Sequence, residues 1–211
     1  MKSAVLLLVV SILSFSCNNK KKSSSVNNHT VVNTDTSTTV RPEQSINLYA
    51  PVDVSPMDMS YFPADYPKLK MNNSTIASPV ARLLYSRPHL QGRKLFHDVI
   101  KYGDIWRLGA NEASELTLYK DVTIQDKRIK AERYILYCIP QHEKWTIVLN
   151  SNIDTWGLQP DVSKDIARFV IPVSETSNSL EFFTMIFQQT PTGAHLLIAW
   201  DNVEARLPFT F

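Results

Sequence analysis

From Val203 to Phe211 apolar and polar residues alternate without a break. Val203, Ala205, Leu207, Phe209 and Phe211 fall on one face, and Glu204, Arg206, Pro208 and Thr210 on the other. A helix repeats every ~3.6 residues and cannot bury such a pattern, whereas successive side chains of a strand point to opposite faces. The run is a half-buried strand, with Pro208 marking an edge or a strand end. Shorter runs of the same kind recur at 81–87, 115–119, 121–125, 128–131, 133–139, 145–150, 166–173, 180–188 and 194–200. Gln125-Asp126-Lys127 and Pro191-Thr192-Gly193 are turn signals between neighbouring runs. Short helices are expected at Leu95–Ile100 and Val162–Asp165, the second capped by Asp161. These features predict an all-β fold: an antiparallel β-sandwich or partly open barrel of about 8–10 short strands with one or two short helices.

The N-terminus carries a processing signal. Lys2 precedes an apolar run from Ala4 to Leu13, too short for a membrane span, which needs about 20 residues, and suited to a signal-peptide core. Residues 1–16 are therefore read as a signal peptide. Leu13-Ser14-Phe15-Ser16-Cys17 then resembles a bacterial lipobox, which implies acylation of Cys17 and a membrane as partner. The alternative is an ordinary cleaved signal peptide. Residues 17–45 are rich in Ser, Thr and Asn (15 of 29) and contain no aromatic residue, so they cannot bury enough surface to order themselves. They form a tether with a coil span of about 30 Å. Residues 46–211 are read as one β-rich domain, with 46–75 an extended arm and 76–211 the sandwich. Met57, Met59, Tyr61, Phe62 and Tyr66 are too apolar for a free linker, so the arm is expected to pack.

Charge excludes one class of partner. The chain has 22 basic and 20 acidic residues, but from Ile46 onward the balance is 17 against 18. Nucleic-acid binders concentrate positive charge on the folded domain, so no nucleic-acid partner is expected. Cys138 lies within Tyr134-Ile135-Leu136-Tyr137-Cys138-Ile139 and is read as a buried, inert thiol. The five glycines are dispersed and build no phosphate loop, and the five histidines show no ligand spacing; no cofactor and no metal are expected. Asn150, Asn152, Asp154 and Asp161 approximate calcium-loop spacing, but Thr155 stands where such a loop needs Gly, so a turn is expected.

Polar and aromatic residues are densest between Tyr85 and Glu112. The stretch holds Tyr85-Ser86-Arg87-Pro88, Gly92-Arg93, Tyr102-Gly103 and Trp106-Arg107-Leu108-Gly109-Ala110-Asn111-Glu112-Ala113. With Trp145-Thr146-Ile147, Asp154-Thr155-Trp156-Gly157 and the terminal strands, it resembles the domain of unknown function 2911 family, found mainly in exported bacterial proteins. Pro56-Met57-Asp58-Met59-Ser60-Tyr61 is similar to a longer-armed subgroup. The resemblance implies a fold boundary and brings no activity with it. His97-Asp98 departs from the family pattern, which counts against His97 as a shared catalytic residue.

The residue types suit ligand recognition. Tyr85 and Arg87 share a strand face, Arg87, Arg93 and Arg107 can fork onto a carboxylate or phosphate, and Tyr102 and Trp106 offer flat surfaces. Asn111 and Glu112 can complete the hydrogen bonding, with Glu112 the candidate general base. Three readings follow. The first is a binding or accessory module with an Arg/Trp/Tyr pocket for an acidic or carbohydrate-like ligand. The second is an envelope hydrolase or lyase using Glu112 with Arg87 or Arg107, and the third a structural subunit of an envelope complex. Alternatively, Arg107 and Glu112 form a buried pair that clamps the Gly109 turn.

Overall fold

The computed structural model describes residues 53–211. The signal, Cys17, the tether and the first residues of the arm lie outside the described residues. Among the described residues nine strands form a single antiparallel sheet: β1 (Met57–Phe62), β2 (Ala81–Ser86), β3 (Ser114–Leu118), β4 (Val122–Ile124), β5 (Lys127–Ile129), β6 (Arg133–Pro140), β7 (Lys144–Asn150), β8 (Asp165–Thr190) and β9 (Gly193–Thr210). Their order is β1-β2-β3-β6-β7-β8-β9-β4-β5, so the sheet is not closed by a β1–β5 ladder.

The alternation sets the inner face. Leu83 and Tyr85 of β2, Leu116 of β3, Leu136 and Cys138 of β6 and Ile147 of β7 join one buried core. Phe169, Phe183, Trp200, Leu207 and Phe209 of β8 and β9 complete it. The sheet curls around this core until β1 approaches the later half of β8, where Phe187 N donates to Ser60 Oγ at 3.2 Å. A continuous strand ladder is replaced at this seam by side-chain hydrogen bonds.

Several expectations are corrected. The runs 166–173 and 180–188 are one strand, β8, and 194–200 and 203–210 are one strand, β9. The hairpin bends where its register slips, between Glu175 and Leu180 and again before Thr184. Asp201, at φ 52°, lets β9 follow that bend, and this break in the alternation looks like a turn in the sequence. The arm is more than an extended strap. It supplies β1, paired to β2 over six residues, and the helix α1 (Tyr66–Asn72). Pro67 stands in the first turn of α1, Lys70 in the last, and no side chain is buried, so the helix carries no apolar period to read. Met57 and Met59 are exposed, and Phe62 reaches the core edge, stacking on Phe211 at 4.8 Å. Phe211 itself is exposed, unlike the four residues before it on the same face. The two short helices are a π turn at Leu95–Val99 and a 3-10 turn at Val162–Lys164, where the Asp161 side chain accepts from Ser163 N.

Candidate functional site

The Trp106–Ala113 stretch enters along the edge of β6. Beyond the end of β3, Trp106 N donates to Cys138 O at 2.8 Å and Cys138 N returns the bond at 2.7 Å. This one-residue bridge turns Trp106 inward and Arg107 outward. Trp106 meets Trp145 edge-on at 5.8 Å, Phe183 at 4.9 Å and Trp200 at 6.0 Å. It is a core residue rather than a ligand platform. Cys138, beside it, is a buried free thiol whose pKa burial raises well above the usual value.

The chain then makes an unusual turn. Leu108, Gly109 and Asn111 have φ of 56°, 154° and 57°. Side chains in sparsely populated backbone regions cost about 1–3 kcal/mol each and persist only when their surroundings hold them. Here Ser86 Oγ both accepts from Ala110 N and donates to Ala110 O, and Ser114 Oγ donates to Leu108 O. Asn111 Nδ2 donates to Asp53 Oδ2 at 2.6 Å. Two buried serines and the arm therefore clamp the turn. The expected Arg107–Glu112 clamp is absent among the described residues, because Glu112 is exposed and no ion pair joins the two.

Past the turn, Glu112 lines an outward groove of about 530 Å³ with Glu115, Asp154, Thr155 and Trp156. The strand register builds its floor, because Leu84, Glu115 and Ile135 are cross-strand partners on the outer face. Met57 and Ala113 complete the lining. Arg133 donates to Glu115 Oε2 at 2.8 Å and to Asp154 Oδ1 at 2.7 Å. Two of the three carboxylates thus share Arg133 as their partner; Glu112 makes no hydrogen bond among the described residues. Trp156, 53% exposed, has the Arg107 guanidinium 5.7 Å from its ring centroid. Arg107 Nη1 is buried without a partner among the described residues, and burial pushes the Arg107 pKa down, with the Glu112 charge opposing. Gly157, at φ 79°, lets this loop lie on Ala113; a Cβ there would stand 2.6 Å from the Ala113 Cβ.

The remaining predicted site residues go elsewhere. Arg87 is fully engaged at the seam: Nε donates to Phe183 O at 3.2 Å, Nη1 to Asp58 Oδ2 at 3.2 Å and Nη2 to Thr184 Oγ1 at 3.3 Å. Tyr85 is in the core, its hydroxyl donating to Asp58 Oδ2 at 3.4 Å, and burial pushes its pKa up to about 12. It borders a second cleft, of about 580 Å³, between β1 and β8. Arg93 folds back on its own loop, donating to Leu90 O at 2.9 Å and His89 O at 2.8 Å. Tyr102 is sandwiched between Phe96 and His142, with centroids at 4.1 and 3.8 Å. Of the predicted residues Glu112 lines the groove, Arg107 borders it over Trp156 and Asn111 precedes Glu112 in the turn, and the pocket of converging arginines is not formed. The 150–161 oxygens are also used separately: Asn152 accepts from Lys164 at 2.8 Å, Asp154 from Arg133, and Asp161 from Ser163.

Trp156, Glu115 and Met57 carry no ligand signal in the sequence, and Asp154 carries only the calcium-like spacing. What the sequence does show of them is an aromatic residue beside Gly157 and the outward phase of β3.

No curated protein and no solved structure matches the chain. The family model for protein of unknown function DUF2911 matches residues 67–209, spanning β2 to β9 and both halves of the groove loop system. The chain belongs to the DUF2911 family.

Proposed function

We propose that this protein is an exported, lipid-anchored envelope protein whose outward groove binds a carbohydrate-like ligand. The observation that carries the reading is an exposed indole, Trp156, in the same groove as Glu112, a carboxylate with no partner among the described residues. A sugar ring presents C–H faces that pack on an indole, and hydroxyls that donate to ionised carboxylates in strong hydrogen bonds. Leu84 and Ile135 supply apolar floor between these groups. An acidic ligand is less well served, since Arg87 and Arg93 are engaged within the fold and the groove wall carries carboxylates. Binding is favoured over catalysis because Glu115 and Asp154 are both held by Arg133, and among the described residues no acid, base or nucleophile is hydrogen-bonded to Glu112.

Calorimetric titration against soluble gluco-, manno- and chito-oligosaccharides tests the groove. Trp156→Ala and Glu112→Gln are each expected to weaken binding about 10-fold, equivalent to about 1.4 kcal/mol, with little change in thermal midpoint. Unchanged affinity in both variants overturns the reading. Export and anchoring rest on Lys2, the Ala4–Leu13 run and Cys17. Metabolic labelling with a fatty acid should mark the wild type and not Cys17→Ser; equal labelling refutes acylation.

A further inference from the structure

β1 and the residues before it precede the span matched by the family model, yet they reach directly into the groove system. Met57 lines the groove. Its ladder partner is Ser86, whose hydroxyl holds both backbone groups of Ala110. Pro56 O accepts from Arg87 N at 2.9 Å, fixing the start of the arm against the end of β2. One residue before Glu112, Asn111 Nδ2 donates to Asp53 Oδ2 at 2.6 Å, while Asp53 Oδ1 accepts from Ser55 N at 2.6 Å.

Three residues of the turn have positive φ, and each lies at a hold. Leu108 is held by Ser114, the Gly109–Ala110 peptide region by Ser86, and Asn111 by Asp53. The first two holds come from within the matched domain. The third comes from the arm, and it is the one nearest Glu112. A left-handed residue without its anchor relaxes toward commoner backbone conformations. Such relaxation at Asn111 would swing the adjacent Glu112 carboxylate relative to Trp156.

We propose that Asp53 is a positioning residue of the groove: through Asn111 it sets where Glu112 stands, so the arm is part of the binding site. This rests on the reading of the groove as a ligand site. Asp53 need not touch the ligand, and its effect passes through one hydrogen bond, which gives the proposal a polarity that can be reversed. In a Asp53→Asn, Asn111→Asp double variant, the amide at 53 donates to the carboxylate at 111 while the amide oxygen still accepts from Ser55 N.

The test uses the full chain and two readouts. The first is the amide resonances of Glu112 and Ala113 with the Trp156 indole resonance; the second is affinity for the oligosaccharides used above. Asp53→Ala should move the three resonances and weaken binding about 5-fold, with the thermal midpoint nearly unchanged. The double variant should restore both. Resonances that stay in place in Asp53→Ala, or shifts that the reversed pair does not restore, overturn the positioning role. If the wild type binds none of the sugars, the ligand reading fails, and the resonances alone still decide whether the arm positions Glu112.

Discussion

Trp106→Ala is expected to lower the unfolding free energy by about 4 kcal/mol, within the usual range for truncating a buried aromatic residue. Trp106 is 5% exposed and packs against Trp145, Phe183 and Trp200, which come from β7, β8 and β9. The cavity would open where three strands meet, and their backbones are too constrained by the sheet to collapse into it. For a domain of this size each kcal/mol lowers the midpoint by roughly 2–4 °C, so the thermal transition should fall by about 8–16 °C. Urea denaturation measures the free energy, and titration of the folded variant at low temperature measures sugar affinity, which should be retained. A stable variant with abolished binding would contradict this and return Trp106 to the groove as a platform.

Gly157→Val is the second large effect, and it should strike stability and the groove together. The residue has φ 79°, and a left-handed conformation costs a side-chain-bearing residue about 1–2 kcal/mol. Its Cβ would lie 2.6 Å from the Ala113 Cβ and 3.1 Å from the Ala113 Cα, contacts that require the loop to lift. Overpacking of this kind costs about 1–3 kcal/mol, for a combined loss of about 3 kcal/mol. Lifting the loop also moves Trp156, the neighbouring residue, away from Glu112. The expected result is a thermal midpoint lower by about 6–12 °C together with a displaced Trp156 indole resonance and lost sugar binding. Wild-type stability in this variant would show that the loop does not rest on Ala113.

The contrast between these two tryptophans explains which parts of the site were legible in the sequence. Trp106 stands in a dense polar motif, where its residue type suggests a flat surface for a ligand. Trp156 stands in a short loop, where the sequence offers only the family resemblance of Asp154-Thr155-Trp156-Gly157. Their environments are reversed in the fold, because the bridge between Trp106 and Cys138 joins residues far apart in the chain. The arginines follow the same rule. Arg87 is engaged by Asp58, Phe183 and Thr184, and the last two lie about a hundred residues away. No spacing near Arg87 announces such partners. Ser86 and Ser114, which hold the turn, carry no signal in the sequence, because a buried hydroxyl looks like any other serine until its carbonyl partner is known.

The strands themselves were far more legible. Alternation is a local property of an extended backbone and marks β2 and β3, while short continuous apolar runs mark β6 and β7. It fails where the backbone bends, as at Asp201 in β9, and where a strand buries little, as in β1. The sequence by itself therefore determined an all-β domain with its inward-facing residues, and the charge and composition of the segment that precedes it. Tertiary structure alone decided that the sheet curls until β1 meets β8, which arginines are consumed in holding it, and that Glu112, Trp156 and the arm share one groove. Side-chain period depends on adjacent residues, whereas hydrogen-bond partners and exposure depend on which distant strand arrives beside them.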